Sequence, residues 1–442
     1  MKVLLQYAIV GEDARSIMES IEDQVRTGRI PQGASLPTVR ALATTLKVSP
    51  TTVAAAYRML RTRGLLSAQG RRGTRVCARP PVLTRSAVTV PRGLRNLIQG
   101  SPDTLLLPDL RALAPKLALR PRLYGETTNR PRLIALAAEQ FAADRIPTTA
   151  LAILGGALDA IERVLQAHVR PGDRVAVEDP GYSDIFDLLG ALGLIVEPVS
   201  MDDYGLLPDH LEQVLKSGVV ACILTPRAQN PTGAALDEQR AHELRKVFDK
   251  HDGVLVIEDD HAGPVAGVPA LTVCHAKKER WAVVRSVSKS LGPDLRLAVV
   301  AGDATTIARV EGRQSLGAGW VSHVLQEIVE VLWSDPAAAK KLRTAAETYA
   351  ARRTALIRAL KSHGVAAYGR SGLNVWIPVR EEGSVITSVS AAGWAVRGGE
   401  RYRLKSPPAI RVTVATLQPT EAVRLAEDIA ESLQPDRRTH AR

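Results

Sequence analysis

Apolar positions in the first eighty residues recur at helical spacing, while the rest of the chain alternates helical stripes with short, solid apolar runs. Over residues 12–27, Ile17, Ile21 and Val25 stand four apart, which predicts a helix with one face toward a core. Ser35-Leu36-Pro37 opens a second helix carrying Val39, Leu42, Ala43 and Leu46. Ser49-Pro50, an N-cap residue followed by proline at the first helical position, opens a third over 50–63, with Val53, Ala56, Tyr57 and Leu60 inward. Gly64 ends it, and LLSAQGRRGTRVC predicts two short strands around Gly70-Arg71-Arg72-Gly73. Three helices and a hairpin predict a winged helix-turn-helix domain over residues 8–76.

From 77 to 97 the chain loses both periods and carries Pro80, Pro81 and Pro91, which predicts a semi-rigid linker. Beyond it, RVAVED, LIVEPVS, VVACILTP, GVLVIEDD, WAVVRSV and LAVVAG are apolar, β-rich runs separated by helical patterns. Solid strand runs alternating with helices predict an α/β body over 98–435, with a mostly parallel sheet covered on both faces. Ligands of such sheets bind outside the carboxyl ends of the strands, so the polar residues following these runs are where chemistry is expected.

Apolar residues at 45% and charged residues at 24% of 442 suit a globular protein and exclude a disordered one. No apolar run approaches the roughly 18 residues of a membrane span. In MKVLLQYAIVGED, Gln6 and Tyr7 break the apolar run and acidic residues follow, so no export signal is expected. Three scattered cysteines, Cys77, Cys222 and Cys274, suggest neither a disulfide framework nor a metal site, and fit a reducing cytoplasm. Charge changes the picture more. Residues 1–80 hold thirteen Lys/Arg and five Asp/Glu, so +8 of the net +12 sits on the N-terminal segment. A basic module on a nearly neutral body points to phosphate backbones.

The third helix suits a DNA major groove. Ser49, Thr51 and Thr52 cluster at its start, where recognition helices present short polar side chains and backbone N–H groups, and Ala54 and Ala55 permit close approach. Arg40 and the turn residues Arg71 and Arg72 are candidate phosphate or minor-groove contacts. The run LPTVRALATTLKVSPTTVAAAYRMLRTRGLL resembles the DNA-binding domain of GntR-type bacterial regulators. Pro50 and Ala54 depart from that pattern, standing where basic residues are frequent, which shifts expected readout toward Arg40, the threonines and the wing.

Four polar signals then follow successive strand runs: Asn230-Pro231-Thr232-Gly233, Glu258-Asp259-Asp260-His261, Ser286-Val287-Ser288-Lys289, and Arg296 seven residues past that lysine. Together they resemble the pyridoxal 5'-phosphate site of fold-type I aminotransferases, whose fold adds a small C-terminal subdomain. The resemblance implies that Lys289 holds the cofactor as an internal aldimine, Asp259 faces the pyridine nitrogen and Asn230 the phenolic oxygen. Ser286, Ser288, Arg296 and the helix start Gly156-Ala157 are implied to hold the phosphate. Tyr182 is implied to stack on the ring, and Arg411 to bind a substrate or effector carboxylate. Tyr124 resembles the tyrosine that reaches a partner subunit's phosphate, which implies a head-to-tail homodimer. His261 stands where a tyrosine is usual, and reads equally as a satisfied strand-end histidine or a cofactor contact. Leu158 and Asp159 replace frequent glutamines, and with His261 point to altered handling of the cofactor.

A GntR-type reader joined to an aminotransferase-like body resembles the MocR subfamily of transcriptional regulators over about residues 8–435. WAVVRSVSKSLGPDLRLAVVAG, the Asp259-Asp260-His261 triplet and VSHVLQ look closest to its PtsJ-type branch, tied to pyridoxal kinase and vitamin B6 salvage. The expectation is therefore a cytoplasmic regulator that binds an operator in double-stranded DNA and senses pyridoxal phosphate, with no more than a residual transamination half-reaction. The alternative is a pyridoxal-phosphate-dependent aminotransferase with an incidental DNA-binding domain. The intact helix-turn-helix and its charge favour the regulator.

Overall fold

A computed structural model describes residues 7–27, 29–31, 33–62, 65–68, 73–76 and 90–434. The N-terminal unit contains α1 (Ala14–Arg26), α2 (Val39–Leu46), α3 (Pro50–Thr62) and the antiparallel strands β1 (Leu66–Ala68) and β2 (Thr74–Val76). Each helix starts where a side chain can satisfy free backbone N–H groups. Asp13 accepts from the amides of Arg15 and Ser16 at 2.9 and 2.8 Å, and Thr38 accepts from Ala41 at 3.2 Å. Lys47, with φ at 55°, turns the chain out of α2. Ile17, Ile21, Leu42, Val53, Ala56, Tyr57 and Leu60 meet in one core with Leu66 and Val76. The Tyr57 hydroxyl donates to the Pro37 carbonyl at 2.8 Å, fastening α3 to the entry of α2. The winged helix-turn-helix pattern is thus present, while Arg71 and Arg72 lie outside the described residues.

The second unit begins with β3 (Arg95–Asn96), α4 (Pro131–Ala143), β4 (Ala150–Leu154), α5 (Ala157–His168), β5 (Arg174–Asp179) and α6 (Ser183–Ala191). It continues through β6 (Ile195–Asp202), β7 (Gly205–Leu206), α7 (Pro208–Leu215), β8 (Val219–Leu224), α8 (Glu238–Lys250), β9 (Leu255–Asp260), β10 (Trp281–Ser286) and β11 (Ala298–Gly302). After α9 (Ala304–Ser315), α10 (His323–Ser334) and the long α11 (Pro336–Ser362) come β12 (Asn374–Pro378), α12 (Glu382–Ala391), β13 (Trp394–Ala395), β14 (Arg397–Gly398), β15 (Ala409–Thr413) and α13 (Pro419–Ser432).

Among the described residues, the main sheet runs β4-β11-β10-β9-β8-β5-β6-β7. Strands β8, β9 and β10 are parallel, while β11 is antiparallel to both β10 and β4. Every residue of β9 and β10 is buried, which is why these runs are solidly apolar rather than alternating. Their parallel register sets Asp259 beside Val284, so both strands deliver their polar ends to one edge. A smaller sheet, β12-β15-β14, packs with α11, α12 and α13 around a second core of Val375, Ile377, Ile410, Val412 and Leu425. No helix among the described residues is long and apolar enough to cross a membrane.

The linker expected over 77–97 is too long at its far end. Arg95–Asn96 pairs with β13, Leu97 is buried in the second core, and the Arg95 guanidinium holds Glu421 at 2.8 Å. Arg95, Asn96 and Leu97 are too few to show a period. Their attachment comes from backbone pairing, one ion pair and a single buried leucine, which leaves no apolar period.

Candidate functional site

In the N-terminal unit, Thr51 and Arg40 are exposed, while Ser49 is spent on the helix start. Its hydroxyl accepts from the Thr52 amide at 3.1 Å and lies 2.7 and 2.8 Å from the hydroxyls of Thr51 and Thr52. Ser49 therefore orders the two threonines at the tip of α3. Arg58, two turns beyond Thr51 on its exposed side, and Lys47 at the turn add charge that sequence reasoning missed. Helical spacing from Thr51 would have found Arg58.

In the second unit, Lys289, Asp259 and His261 come together at the carboxyl ends of β9 and β10. Lys289 follows β10 and lies in a largely desolvated position, its Nζ donating to the Gly100 carbonyl at 2.5 Å. Burial, helped by the Arg411 charge, pulls its amine down to about 8, against the opposing pull of Asp259 and Asp184. Asp259 is buried and its Oδ1 has no hydrogen-bond partner. Burial, with Asp260 and Glu178 adding, pushes its carboxyl up to about 7. His261 Nδ1 stands 3.9 Å from Asp259 Oδ2. Burial first, then Lys289, holds His261 down to about 4, so it is a neutral imidazole at pH 7.

Beside these lies a cradle at the start of α5. Gly156 caps the helix with φ at 108° and no side-chain cap, leaving N-terminal amides unused by any cap. A Cβ on Gly156 would stand 3.0 Å from Arg296 Nη2, so the guanidinium lies directly against Gly156. At the end of β10, the hydroxyls of Ser286 and Ser288 lie 2.9 Å apart. Asp159, unrecognised from sequence as part of the cradle, accepts from the Gly155 amide at 2.9 Å and pairs with Arg163 at 2.8 Å.

Across from Lys289, β15 presents Arg411. Its Nη1 donates to Asn230 Oδ1 at 2.8 Å and its Nη2 to the Ile98 carbonyl at 2.5 Å, while Nε has no partner. Asn374 Nδ2 also reaches Asn230 Oδ1, at 3.4 Å, and its own Oδ1 accepts from Thr413 at 3.0 Å. Tyr182 is half-buried and its hydroxyl donates to Asp184. Asn374, Asp184 and the Ile98–Gly100 backbone were not foreseen.

Below the site runs a buried ion cluster, equally unforeseen. Arg227 clamps Asp260 with two bonds of 2.8 and 2.9 Å, and Arg285 adds a third at 2.7 Å. The two guanidiniums outweigh burial and hold Asp260 well below the usual carboxylate range. Arg227 in the run TPRAQNPTG was its visible signal. Tyr124 lies apart from all this, 94% exposed, with its ring edge-on to Trp320 at 5.8 Å.

Residues 94–429 match the aminotransferase class I and II family, and residues 13–76 match the gntR family of bacterial regulatory proteins. The vitamin B6 salvage pathway transcriptional repressor PtsJ of Salmonella typhimurium is 40% identical over 428 residues, spanning 96% of this chain and 99% of that protein. The pyridoxine biosynthesis transcriptional regulator PdxR of Corynebacterium glutamicum is 29% identical over 272 residues, spanning 58% and 59%. Among solved structures, an archaeal alanine:glyoxylate aminotransferase superposes with a TM-score of 0.70 at 21% identity, over 77% of this chain and 90% of that one. That last likeness shows the fold. A chain that joins both modules and aligns end to end with a repressor of the same build belongs to the MocR subfamily of GntR-type transcriptional regulators.

Proposed function

We propose that this regulator binds pyridoxal 5'-phosphate at Lys289 and uses it to control operator binding at genes of vitamin B6 salvage, a pyridoxal kinase gene among them, as a cytoplasmic repressor. The observation that supports it best is Asp259. Its Oδ1 is buried without a partner at the edge that also holds Lys289, an arrangement that is costly unless something protonated arrives. The residues present fit the cofactor. Lys289 offers an amine already brought close to neutrality, Asp259 a lone acceptor for a ring N–H, and Gly156-Ala157 with Arg296, Ser286 and Ser288 an anion cradle. Asn230 offers the phenolic oxygen its free amide, with Arg411 and Asn374 holding its oxygen.

When bound, the cofactor supplies an electron-withdrawing ring and an aldehyde that reacts with amines. Lys289 gives up its proton readily because burial and Arg411 disfavour the ammonium. His261 remains neutral and adds no charge beside Asp259. The target genes and the repressor role follow the B6 regulators to which the chain is similar.

The regulator is a homodimer of head-to-tail bodies, with readers at 8–76 tethered by a linker that stops short of Arg95. The exposure of Tyr124, a large aromatic held by Trp320 and turned away from its own site, supports a second copy opposite it. An aminotransferase reading is weaker, because Arg411 is already occupied by the chain's own backbone. The test is direct. Pyridoxal phosphate should give the purified protein a visible absorbance that borohydride fixes on Lys289, and Lys289→Ala should abolish it. The protein should shift a fragment from its own upstream region, and show no steady-state turnover of common amino acids. A label on another lysine, or sustained turnover without DNA binding, rejects the proposal.

A further inference from the structure

Strands β12 and β15 present two unlike faces. Val375, Ile377, Ile410 and Val412 point one way, into the second core. Side chains alternate along a strand, so Asn374, Trp376, Arg411 and Thr413 share the other face, and the register sets Asn374 opposite Thr413 and Trp376 opposite Arg411. Asn374 and Thr413 are buried, at 7% and 3% exposure, where a polar side chain is costly unless it is bonded. Their side-chain bonds run in one line toward Asn230. Thr413 Oγ1 donates to Asn374 Oδ1 at 3.0 Å, and Asn374 Nδ2 donates to Asn230 Oδ1 at 3.4 Å. We infer that Asn374 and Thr413 are positioning residues for Asn230, fixing which end of its amide a bound cofactor meets. This rests on the proposed place of Asn230 at the phenolic oxygen of pyridoxal phosphate.

The donors and acceptors leave a single arrangement. A guanidinium has no acceptor, so the Asn230 atom 2.8 Å from Arg411 Nη1 is its oxygen. Asn374 meets the same oxygen and therefore presents its NH2 group. That turns its own oxygen to Thr413 and makes the hydroxyl there the donor. A lone bond from Arg411 would let the Asn230 amide pivot about it. The second bond, from the neighbouring strand, fixes the amide plane and leaves Nδ2 as the end available to a ligand.

The backbone brings both residues to this place with little freedom. In the turn that follows Asn230, the Gly233 carbonyl accepts from the Arg370 and Ser371 amides at 3.0 and 2.9 Å. A Cβ on Gly233 would stand 2.9 Å from the Asn374 carbonyl oxygen, so the start of β12 is seated on that turn. Thr413 is held in its turn by its amide, which donates to the Leu97 carbonyl at 2.9 Å. The pair is thus fixed against the group it positions, and it is uncharged. Its effect on a bound cofactor passes through Asn230 rather than through the field of the site.

A donor to the phenolic oxygen favours the form of the cofactor that has lost its proton there, so loosening Asn230 should raise the pH at which the visible band changes. In the full-length protein loaded with pyridoxal phosphate, Asn374→Ala should move that midpoint upward by roughly half a pH unit or more, about three-fold in the equilibrium. Thr413→Val, nearly isosteric, should move it in the same direction, while Thr413→Ser, which keeps the hydroxyl, should leave it in place. Asn230→Ala should shift the midpoint at least as far, and adding Asn374→Ala to it should change nothing more. Thr413→Val carries the test if Asn374→Ala does not fold. A midpoint that ignores the losses at Asn374 and Thr413 overturns the positioning role, and so do shifts that simply add to that of Asn230→Ala. Protein that develops no visible band defeats the cofactor reading itself, and the positioning role falls with it.

Discussion

Gly156 and Arg296 are in mutual contact: a Cβ on Gly156 would stand 3.0 Å from Arg296 Nη2 and 3.3 Å from its Cζ. The φ of Gly156 is 108°, a region that side-chain-bearing residues rarely enter. The pair fixes both the start of α5 and the guanidinium over it, which is the geometry an anion needs. Gly156→Ala should therefore lower affinity for pyridoxal phosphate by roughly tenfold or more, through backbone strain of about 1–3 kcal/mol and a displaced Arg296. Titration of the visible band checks this, with far-UV circular dichroism as control. Unaltered affinity would remove the cradle from the site.

A second prediction concerns Glu258, the neighbour of Asp259 on the opposite face of β9. Its Oε1 accepts from Thr272 Oγ1 at 3.0 Å and from the Val273 amide at 2.6 Å, while Oε2 is buried without a partner. Burial raises its carboxyl from 4.5 to about 7 despite those bonds. Between these values the folded chain keeps a proton that the unfolded chain has lost. The contribution is thus complete below about pH 4.5 and fades as pH rises through about 7. Glu258→Gln fixes the neutral form, so it should stabilise the protein by about 1–3 kcal/mol at pH 8 and little at pH 5. Urea denaturation at the two pH values decides. An equal effect at both would mean that Glu258 does not titrate in this range.

How far these features were visible beforehand differed by type. RVAVED, VVACILTP, GVLVIEDD and WAVVRSV were legible as strands because burial on both faces makes them solidly apolar. Ala150–Leu154 was not, being only five residues with alanine at two positions. Lys289, Asp259, Asn230 and Arg296 were legible because their chemistry is specific to residue type and follows strand ends. The Ile98 and Gly100 contacts were not, because these residues act through carbonyls that every residue possesses. Nor was the engagement of Arg411, whose partners lie 181 and 313 residues away in sequence.

The lowered basicity of Lys289 gives a third prediction. Only the neutral amine attacks an aldehyde, and burial with the Arg411 charge brings its midpoint from 10.5 down to about 8. Cofactor uptake by the cofactor-free protein should therefore accelerate between pH 7 and 9 with a midpoint near 8, and level off above it. Arg411→Gln removes one of the two causes and should move the midpoint upward. The rate of growth of the visible band across pH measures both. A rate still rising tenfold per pH unit at pH 9.5 would place Lys289 in an ordinary aqueous environment.

The last prediction joins the two units through binding energies. Thr51 and Arg40 are exposed on the reader, and Ser49 orders Thr51 through a 2.7 Å hydroxyl contact. Arg40→Ala should weaken operator binding and lower the slope of log affinity against log salt by about one, as loss of a phosphate contact does. Thr51→Ala should weaken binding with the salt slope preserved, since a threonine contact carries no charge. Neither should alter the cofactor spectrum. A ligand shifts a protein between states only through its differential affinity for them, and the effect is reciprocal. Pyridoxal phosphate should thus change operator affinity by roughly 5- to 150-fold, and operator DNA should change cofactor affinity by the same factor. Titrating the protein onto its own promoter at fixed salt, with and without cofactor, decides. A shift with cofactor alone makes pyridoxal phosphate the effector. Superimposable curves in the two titrations would disconnect the body from the reader.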